Sequence, residues 1–190
     1  GTDAGSYNME LKAEDFTNIS DNFSNVEFVI VDGTLEISKR TVTLTSADDE
    51  KVYDGTALTN DEVTVGGDGF AKNEGATYDV TGSQTEVGFS ANTFTYTLNE
   101  GTKADNYTIT KTEGTLKVTE LTDKVTVTIT ENSGSAKYDG AEKTVTGYAV
   151  TSISNPLYTT ADFIFNGSAG VSGTDAGSYN MELKAEDFTN

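Results

Sequence analysis

The chain has 190 residues, with 12 Lys and Arg against 31 Asp and Glu for a formal charge of -19, and it contains no His, Cys or Trp. Without Cys there is neither a disulfide framework nor a thiolate. Without His as well, the commonest general base and the commonest transition-metal ligand are gone, so the composition speaks against an enzyme. A surface this acidic repels nucleic acid and anionic lipid headgroups, no basic patch offsets it, and no apolar run is long enough to insert in a membrane.

Thr is used 32 times and Pro once, a composition that suits pleated sheet better than helix. In chain order, the first element is GTDAGSYNMELKAEDFTN, Gly1–Asn18, which returns unchanged as Gly173–Asn190. Its alternation sets Tyr7, Met9 and Leu11 on one face. NVEFVIVDG, from Asn25, and GTLEIS, from Gly33, predict two more strands with Leu35 and Ile37 inward. A Thr/Val strand from Thr41 then leads to Tyr53-Asp54-Gly55, and Thr85–Gly88 (TEVG) precedes TFTYTL, where Phe94, Tyr96 and Leu98 share a face. NYTITKTEG from Asn106 and GTLKVT from Gly114 repeat the Asn-strand and GTL-strand pair. VTVTIT, with Val125, Val127 and Ile129 on one face, leads to Tyr138-Asp139-Gly140. The strands alternate between an apolar and a Thr-rich face, as antiparallel sheets wet on one side do.

Two periods organise these elements. The identical ends are 172 residues apart, while the two YDG tyrosines are 85 apart and Gly33 and Gly114 are 81 apart. The order of landmarks predicts a C-terminal part of a module at 1–40, a complete β module at 41–120, and the N-terminal part of a second module at 121–190. Strands equivalent to 19–40 would complete that second part. The chain is therefore expected to be one long period plus eighteen residues of a larger array. The fold class is all-β, with tandem immunoglobulin-like β-sandwich modules; β-grasp-like modules are the alternative and would need a helix. The joints GTLEISKRTVTLT and LKVTELTDKVTVT hold no Gly/Ser or Pro spacer between strands, so bending between modules is expected to be small.

Each motif has a structural reading. In Tyr53-Asp54-Gly55 and Tyr138-Asp139-Gly140 the Asp-Gly pair is turn chemistry, with Gly at positive φ, Asp bonding nearby amides and the Tyr ring covering the core edge. Asp175-Ala176-Gly177-Ser178-Tyr179 is similar to the D-x-G-x-Y corner of immunoglobulin-like sandwiches, in which the Tyr hydroxyl bonds back to the backbone. The acidic runs ADDE (Ala47–Glu50) and NDE (Asn60–Glu62) lack the spacing of a calcium loop and read as solvated turns. Ca²⁺ shared between modules at the joints stays open; no other cofactor is expected. A Lys51–Asn106 isopeptide crosslink is a further candidate. The N-x-S/T sites at Asn18, Asn22, Asn106 and Asn166 matter only where the source glycosylates them.

Together, K-x-Y-D-G early in a module, N-Y-x-I late and G-T-L-x-[IV] at its end resemble the YDG- or MBG-type tandem repeats of bacterial surface adhesins. The resemblance implies an extracellular protein held at the bacterial cell surface, with many copies in a row and no catalytic residues. The expected function is a stiff stalk that projects a distal binding domain. A second reading has each repeat grip a host glycoprotein, matrix or glycan through aromatics of the less regular module, Tyr148, Tyr158 and Phe163. A third, a glycan hydrolase, would need two carboxylates in a cleft. The expected partners are neighbouring copies of the same repeat, and the unpaired strand edges predict head-to-tail self-association.

Overall fold

In a computed structural model, which describes all residues 1–190, the chain divides into two compact units, Gly1–Glu120 and Leu121–Asn190. It is all-β. The three 3-10 turns, Ala13–Asp15, Ala104–Asn106 and Ala185–Asp187, are three residues each, so the helix that a β-grasp needs is absent.

The first unit opens with strand β1 (Gly5–Asn8) paired antiparallel to β2 (Thr34–Ile37), Gly5 opposite Ile37 and Asn8 opposite Thr34. Eight strands follow: β3 (Arg40–Ser46), β4 (Asp49–Val52), β5 (Val63–Gly67), β6 (Ala76–Val80), β7 (Gly88–Asn92), β8 (Phe94–Leu98), β9 (Tyr107–Thr112) and β10 (Gly114–Thr119). They form the sheets β5-β3-β9 and β4-β10-β7 and the ribbon β6-β8. Alternation along these strands predicted antiparallel sheets, but β3 runs parallel to β9 and β4 parallel to β10. Alternation reports which face of a strand is wet, and carries no information on the direction of its neighbour.

Three of these strands are long strands broken in the middle, at Ala47–Asp48, Thr93 and Glu113, and the breaks meet in a buried polar knot. The Ser46 hydroxyl donates to the Asn92 carbonyl (2.6 Å) and accepts the Gly114 N–H (2.9 Å). The Asn92 side-chain amide donates to the carbonyls of Ala47 (3.0 Å) and Asn60 (2.9 Å). These bonds satisfy the backbone where each strand changes sheet. Gly114 is required there, because a Cβ would stand 2.4 Å from the Ala47 carbonyl oxygen.

The crossing divides the module's interior in two. On one side Val42, Leu44, Phe94 and Tyr107 are buried, with Tyr78, Val80 and Ile109 packed against them; on the other lie Leu58, Leu116 and Val118, with Tyr53 over them. Each fully buried aliphatic or aromatic side chain contributes about 1.5–3 kcal/mol. Strand β9 supplies Tyr107 and Ile109 to the first core, and β10 supplies Leu116 and Val118 to the second.

The second unit has β11 (Val127–Glu131), β12 (Lys143–Thr146), β13 (Tyr148–Ile153), β14 (Ile164–Phe165), β15 (Gly170–Gly173) and β16 (Phe188–Thr189). They pair only two by two, β11 with β13, β12 with β15 and β14 with β16. Aligned through the YDG turns, β11 corresponds to β3 and β13 to β5, and the β12–β15 pair extends what is a single Leu58–Gln84 bridge in the complete module. Every fully buried residue lies between Val42 and Val118; neither 1–40 nor 121–190 contains one.

Two predicted strands do not form: Asn25–Val31, aligned with β9, and Gly177–Asn180, identical in sequence to β1. Gly134–Lys137, aligned with β4, is not a strand either. Each aligns with a segment that, in the complete module, is held by β9, β10 or β3 (β9 on β3, β4 and β7 on β10), and a strand without its ladder partner has no net reason to extend.

Candidate functional site

The YDG turns are built alike. Gly55 and Gly140 take φ values of 77° and 79°, which only Gly adopts without strain. The Asp54 carboxylate accepts the Thr56 N–H (2.9 Å) and Thr56 hydroxyl (2.7 Å), and Lys51 Nζ sits 2.7 Å away. Lys51, then Thr56, hold the Asp54 carboxyl well below its usual range. Asp139 accepts the Ala141 N–H (3.0 Å), and Lys143 replaces Lys51 at 2.7 Å; both lower its pKa, Lys143 first. The rings differ. Tyr53 covers Leu116 and Val118, whereas Tyr138, with no such strand beside it, is 68% exposed.

The corner near the chain's end is formed as well. The Tyr179 hydroxyl donates to the Asp175 carbonyl at 3.1 Å, four residues upstream and around Gly177, and the Tyr7 hydroxyl donates to the Asp3 carbonyl at 2.8 Å. The first copy of this corner docks on the complete module. Ala4 N–H donates to the Asn106 side-chain oxygen (2.7 Å), and the Asp3 carboxylate accepts the Asn106 amide (3.0 Å) and Lys103 Nζ (2.8 Å). Asn106, then Lys103, lower the pKa of Asp3, and Asp3 raises that of Lys103. Only Ser38 and Lys39 separate β2 from β3, and beyond them the Arg40 guanidinium donates to the carbonyls of Asp68 and Gly69. The Asp68 carboxylate accepts both the N–H and the hydroxyl of Thr41 at 2.8 Å.

These contacts rule out the Lys51–Asn106 crosslink. Asn106 precedes Tyr107, which faces Arg40 at the start of the parallel ladder, while Lys51 faces Val118 at its finish. The acids of the Ala47–Glu50 run act separately: Asp48 accepts the Thr115 N–H and Asp49 the Asn60 amide. No three His, Cys, Asp or Glu side chains converge on one point.

In the second unit, Tyr148, Tyr158 and Phe163 are half-buried and belong to one aromatic cluster that also holds Phe165 and Phe188, two rings the sequence reading passed over. Tyr148 meets Phe165 and Phe188 edge-on at 4.9 and 5.4 Å between ring centres, and Phe163 meets Phe188 at 5.9 Å. Tyr158 stacks on Phe163 at 6.4 Å, and its hydroxyl donates to the Asn190 side-chain oxygen at 3.0 Å. The alternation in Phe163-Ile164-Phe165 was the available signal for the fourth ring. Phe188 lies in the duplicated segment; its first copy, Phe16, stacks on Phe28 at 5.7 Å instead.

Two grooves open on this unit. One, of about 770 Å³, runs along β11 between Val127, Ile129, Tyr158, Phe163, Leu183 and Phe188. The other, of about 800 Å³, lies between Tyr138, Val145, Val171, Tyr179 and Met181. By alignment they correspond to the two cores of the complete module, lacking the side chains that β9 and β10 contribute there.

No curated protein and no solved structure matches the chain. Residues 124–190, which hold the second YDG turn, both grooves and the Asp175–Tyr179 corner, match the family model of the MBG domain. The match covers about a third of the chain, in its second unit, and likens that stretch to the YDG/MBG-type modules found in bacterial surface proteins.

Proposed function

We infer that the chain is a spacer segment of a bacterial surface adhesin, whose tandem modules hold a distal binding domain away from the cell. The observation that carries this reading is the joint between 1–40 and the complete module. Two residues bridge it, and Asp3 and Ala4 on one side bond Lys103 and Asn106 on the other. A joint with no free linker transmits force and limits bending. The charge of -19 keeps neighbouring stalks apart, and a chain without Cys is indifferent to extracellular redox conditions. No catalytic role is assigned to any residue.

The test is a display experiment. A known binding domain is presented on cells above several copies of the chain, above none, and above an unrelated stiff spacer of equal length. Adhesion should fail without a spacer and return with either one. Binding of the chain alone to host surfaces, or failure of the unrelated spacer to restore adhesion, would instead favour the second reading, in which the aromatic cluster around Phe163 and Phe188 contacts a ligand.

A further inference from the structure

The two flanks of the complete module are complementary halves, and we propose that the segment Asn25–Ser38 of one copy docks as two strands into the Leu121–Asn190 unit of a second copy. The proposal does not depend on the spacer reading. Four observations meet in it. The second unit holds two open grooves where the complete module has closed cores. The strands that close those cores are β9 and β10, and their sequence equivalents, offset by 81 residues, are Asn25–Val31 and Thr34–Ile37. Those equivalents are short of partners: Leu35 is 53% exposed where its counterpart Leu116 is wholly buried, and Val26 is exposed where Tyr107 is buried. The acceptor is short of the same contacts, since Tyr138 lacks the cover that Leu116 and Val118 give Tyr53.

The offsets fix the register. Val42 faces Ile109 in the parallel β3–β9 ladder, so Val127 faces Phe28 and Ile129 faces Ile30. Ile37, which now faces Gly5, would face Gly177, the same residue in the second copy of the duplicated segment. The exchange on that side replaces Gly5–Asn8 by the identical Gly177–Asn180, so it costs no sequence-specific contact there. Phe28 gives up its stack on Phe16 for a groove lined by Phe188, the second copy of the same residue, and the exposed Val26 and Leu35 gain cover.

Gly33 points the same way. In this structure a Cβ on Gly33 would have only the Met9 side chain near it, at 3.6 Å, and nothing in its present surroundings calls for glycine. Its counterpart Gly114 admits no Cβ, because the β3–β4 backbone passes within 2.4 Å. Docked over the break after β11, Gly33 would meet the same constraint.

The occupant is a second copy. Ser38 and Lys39 tether the donor at Arg40, the start of the β3–β9 ladder, whereas the chain leaves the complete module at Thr119, the finish of the β4–β10 ladder. The thirteen residues Arg40–Val52 put roughly 40 Å between those ends, so copies joined head to tail continue the order of modules along the chain, and a contact within one chain is the outcome that the double-cysteine chain below reads separately.

The test uses the full chain. Sedimentation over a concentration series should show mass rising as copies add head to tail. Gly33→Val should stay at the single-chain mass over the same range, with the melting transition of the complete module unchanged. Register is read by cysteine pairing, which the Cys-free parent makes clean. Phe28→Cys and Val127→Cys chains, mixed and oxidised, should form a covalent dimer, since paired strands hold Cα atoms about 4.8 Å apart, within disulfide reach. Val29→Cys, whose side chain lies on the other face, should not pair with Val127→Cys. The proposal is overturned if the parent is monomeric throughout or if Gly33→Val associates like the parent. It is equally overturned if Val29→Cys crosslinks as well as Phe28→Cys, or if the crosslink forms only within a single chain carrying both cysteines.

Discussion

Asn106 grips Asp3 and its neighbour with both ends of its side chain: the amide donates to the Asp3 carboxylate at 3.0 Å while the oxygen accepts the Ala4 N–H at 2.7 Å. One residue of the complete module thereby satisfies a carboxylate and a backbone donor of the preceding piece. In Asn106→Ala both lose that partner. A hydrogen bond of this kind is worth about 0.5–1.5 kcal/mol net, so exchange of the Ala4 amide should speed roughly two- to tenfold. The unfolding free energy of the complete module should move by no more than about 0.5 kcal/mol, since Asn106 lies outside its cores. An unchanged Ala4 amide would mean that Asn106 does not hold the joint.

The same contact makes the joint sensitive to acid. Asn106 first and Lys103 second lower the pKa of Asp3 below its ordinary value of 3.8. A carboxylate whose folded pKa is depressed contributes stability above its unfolded pKa and loses it as pH falls through the folded value. The joint should therefore be intact at neutral pH and at pH 4, and release only below the usual aspartate range. In an NMR titration, the Ala4 and Asn106 amides should shift together with an apparent pKa under 3.8. In Asn106→Ala the Asp3 carboxyl should titrate closer to its ordinary value. A midpoint at or above 3.8 in the parent would remove the electrostatic account of the joint.

Leu44 and Ile129 occupy aligned positions in β3 and β11, yet Leu44 is wholly buried and Ile129 only half-buried. Leu44→Ala should cost about 2–5 kcal/mol in chemical denaturation of the complete module, the usual range for a buried Leu. In dilute solution Ile129→Ala should cost clearly less, because little of its side chain is withdrawn from water. Equal costs would show that the second unit has a closed core in solution.

Legibility in the sequence followed one rule: whatever depends on local backbone chemistry could be read, and whatever depends on a distant partner could not. The Gly55 and Gly140 turns, the Tyr179 to Asp175 bond and the inward Leu116 and Val118 are local or period-two features. The Ser46–Asn92 knot joins residues 46 apart, and no pattern marks a Ser or Asn as the point where strands change sheet. Asn25–Val31 carries strong strand propensity but forms no strand, because propensity acts only where a ladder partner stands alongside. Tyr148, Tyr158 and Phe163 were picked out as rings of an irregular stretch. That they pack on one another and on Phe165 and Phe188 needed the pairing of β14 with β16.

Tyr107 anchors β9 in the first core by a buried hydroxyl that donates to Glu74 Oε2 at 2.6 Å and accepts the Ala71 N–H at 3.0 Å. Burial, more than the Glu74 bond, pushes its pKa up. Tyr107→Phe keeps the ring and strands the Ala71 donor, and should cost about 1–3 kcal/mol. Val26, the aligned residue of the 1–40 segment, has no such handle, and Val26→Ala should leave the stability of the complete module within about 0.5 kcal/mol of the parent. If Tyr107→Phe were equally silent, the ring alone would hold β9.

Association of copies through Asn25–Ser38 has to proceed against like charge. The donor segment holds Glu27, Asp32 and Glu36 with no Lys or Arg, and the acceptor Leu121–Asn190 holds nine acidic residues against four Lys. The contact itself is apolar, between Phe28, Ile30 and Leu35 and the two grooves, so salt acts mainly on the repulsion. Going from about 0.01 M to about 1 M salt shortens the screening length from about 30 Å to about 3 Å. Sedimentation should then show tighter association at high salt, the reverse of what an ion-paired interface gives. Gly33→Val should stay monomeric at both salt concentrations, which separates strand docking from salting-out of the whole chain. Weaker association at high salt would mean that paired charges, and not buried strands, hold the copies together.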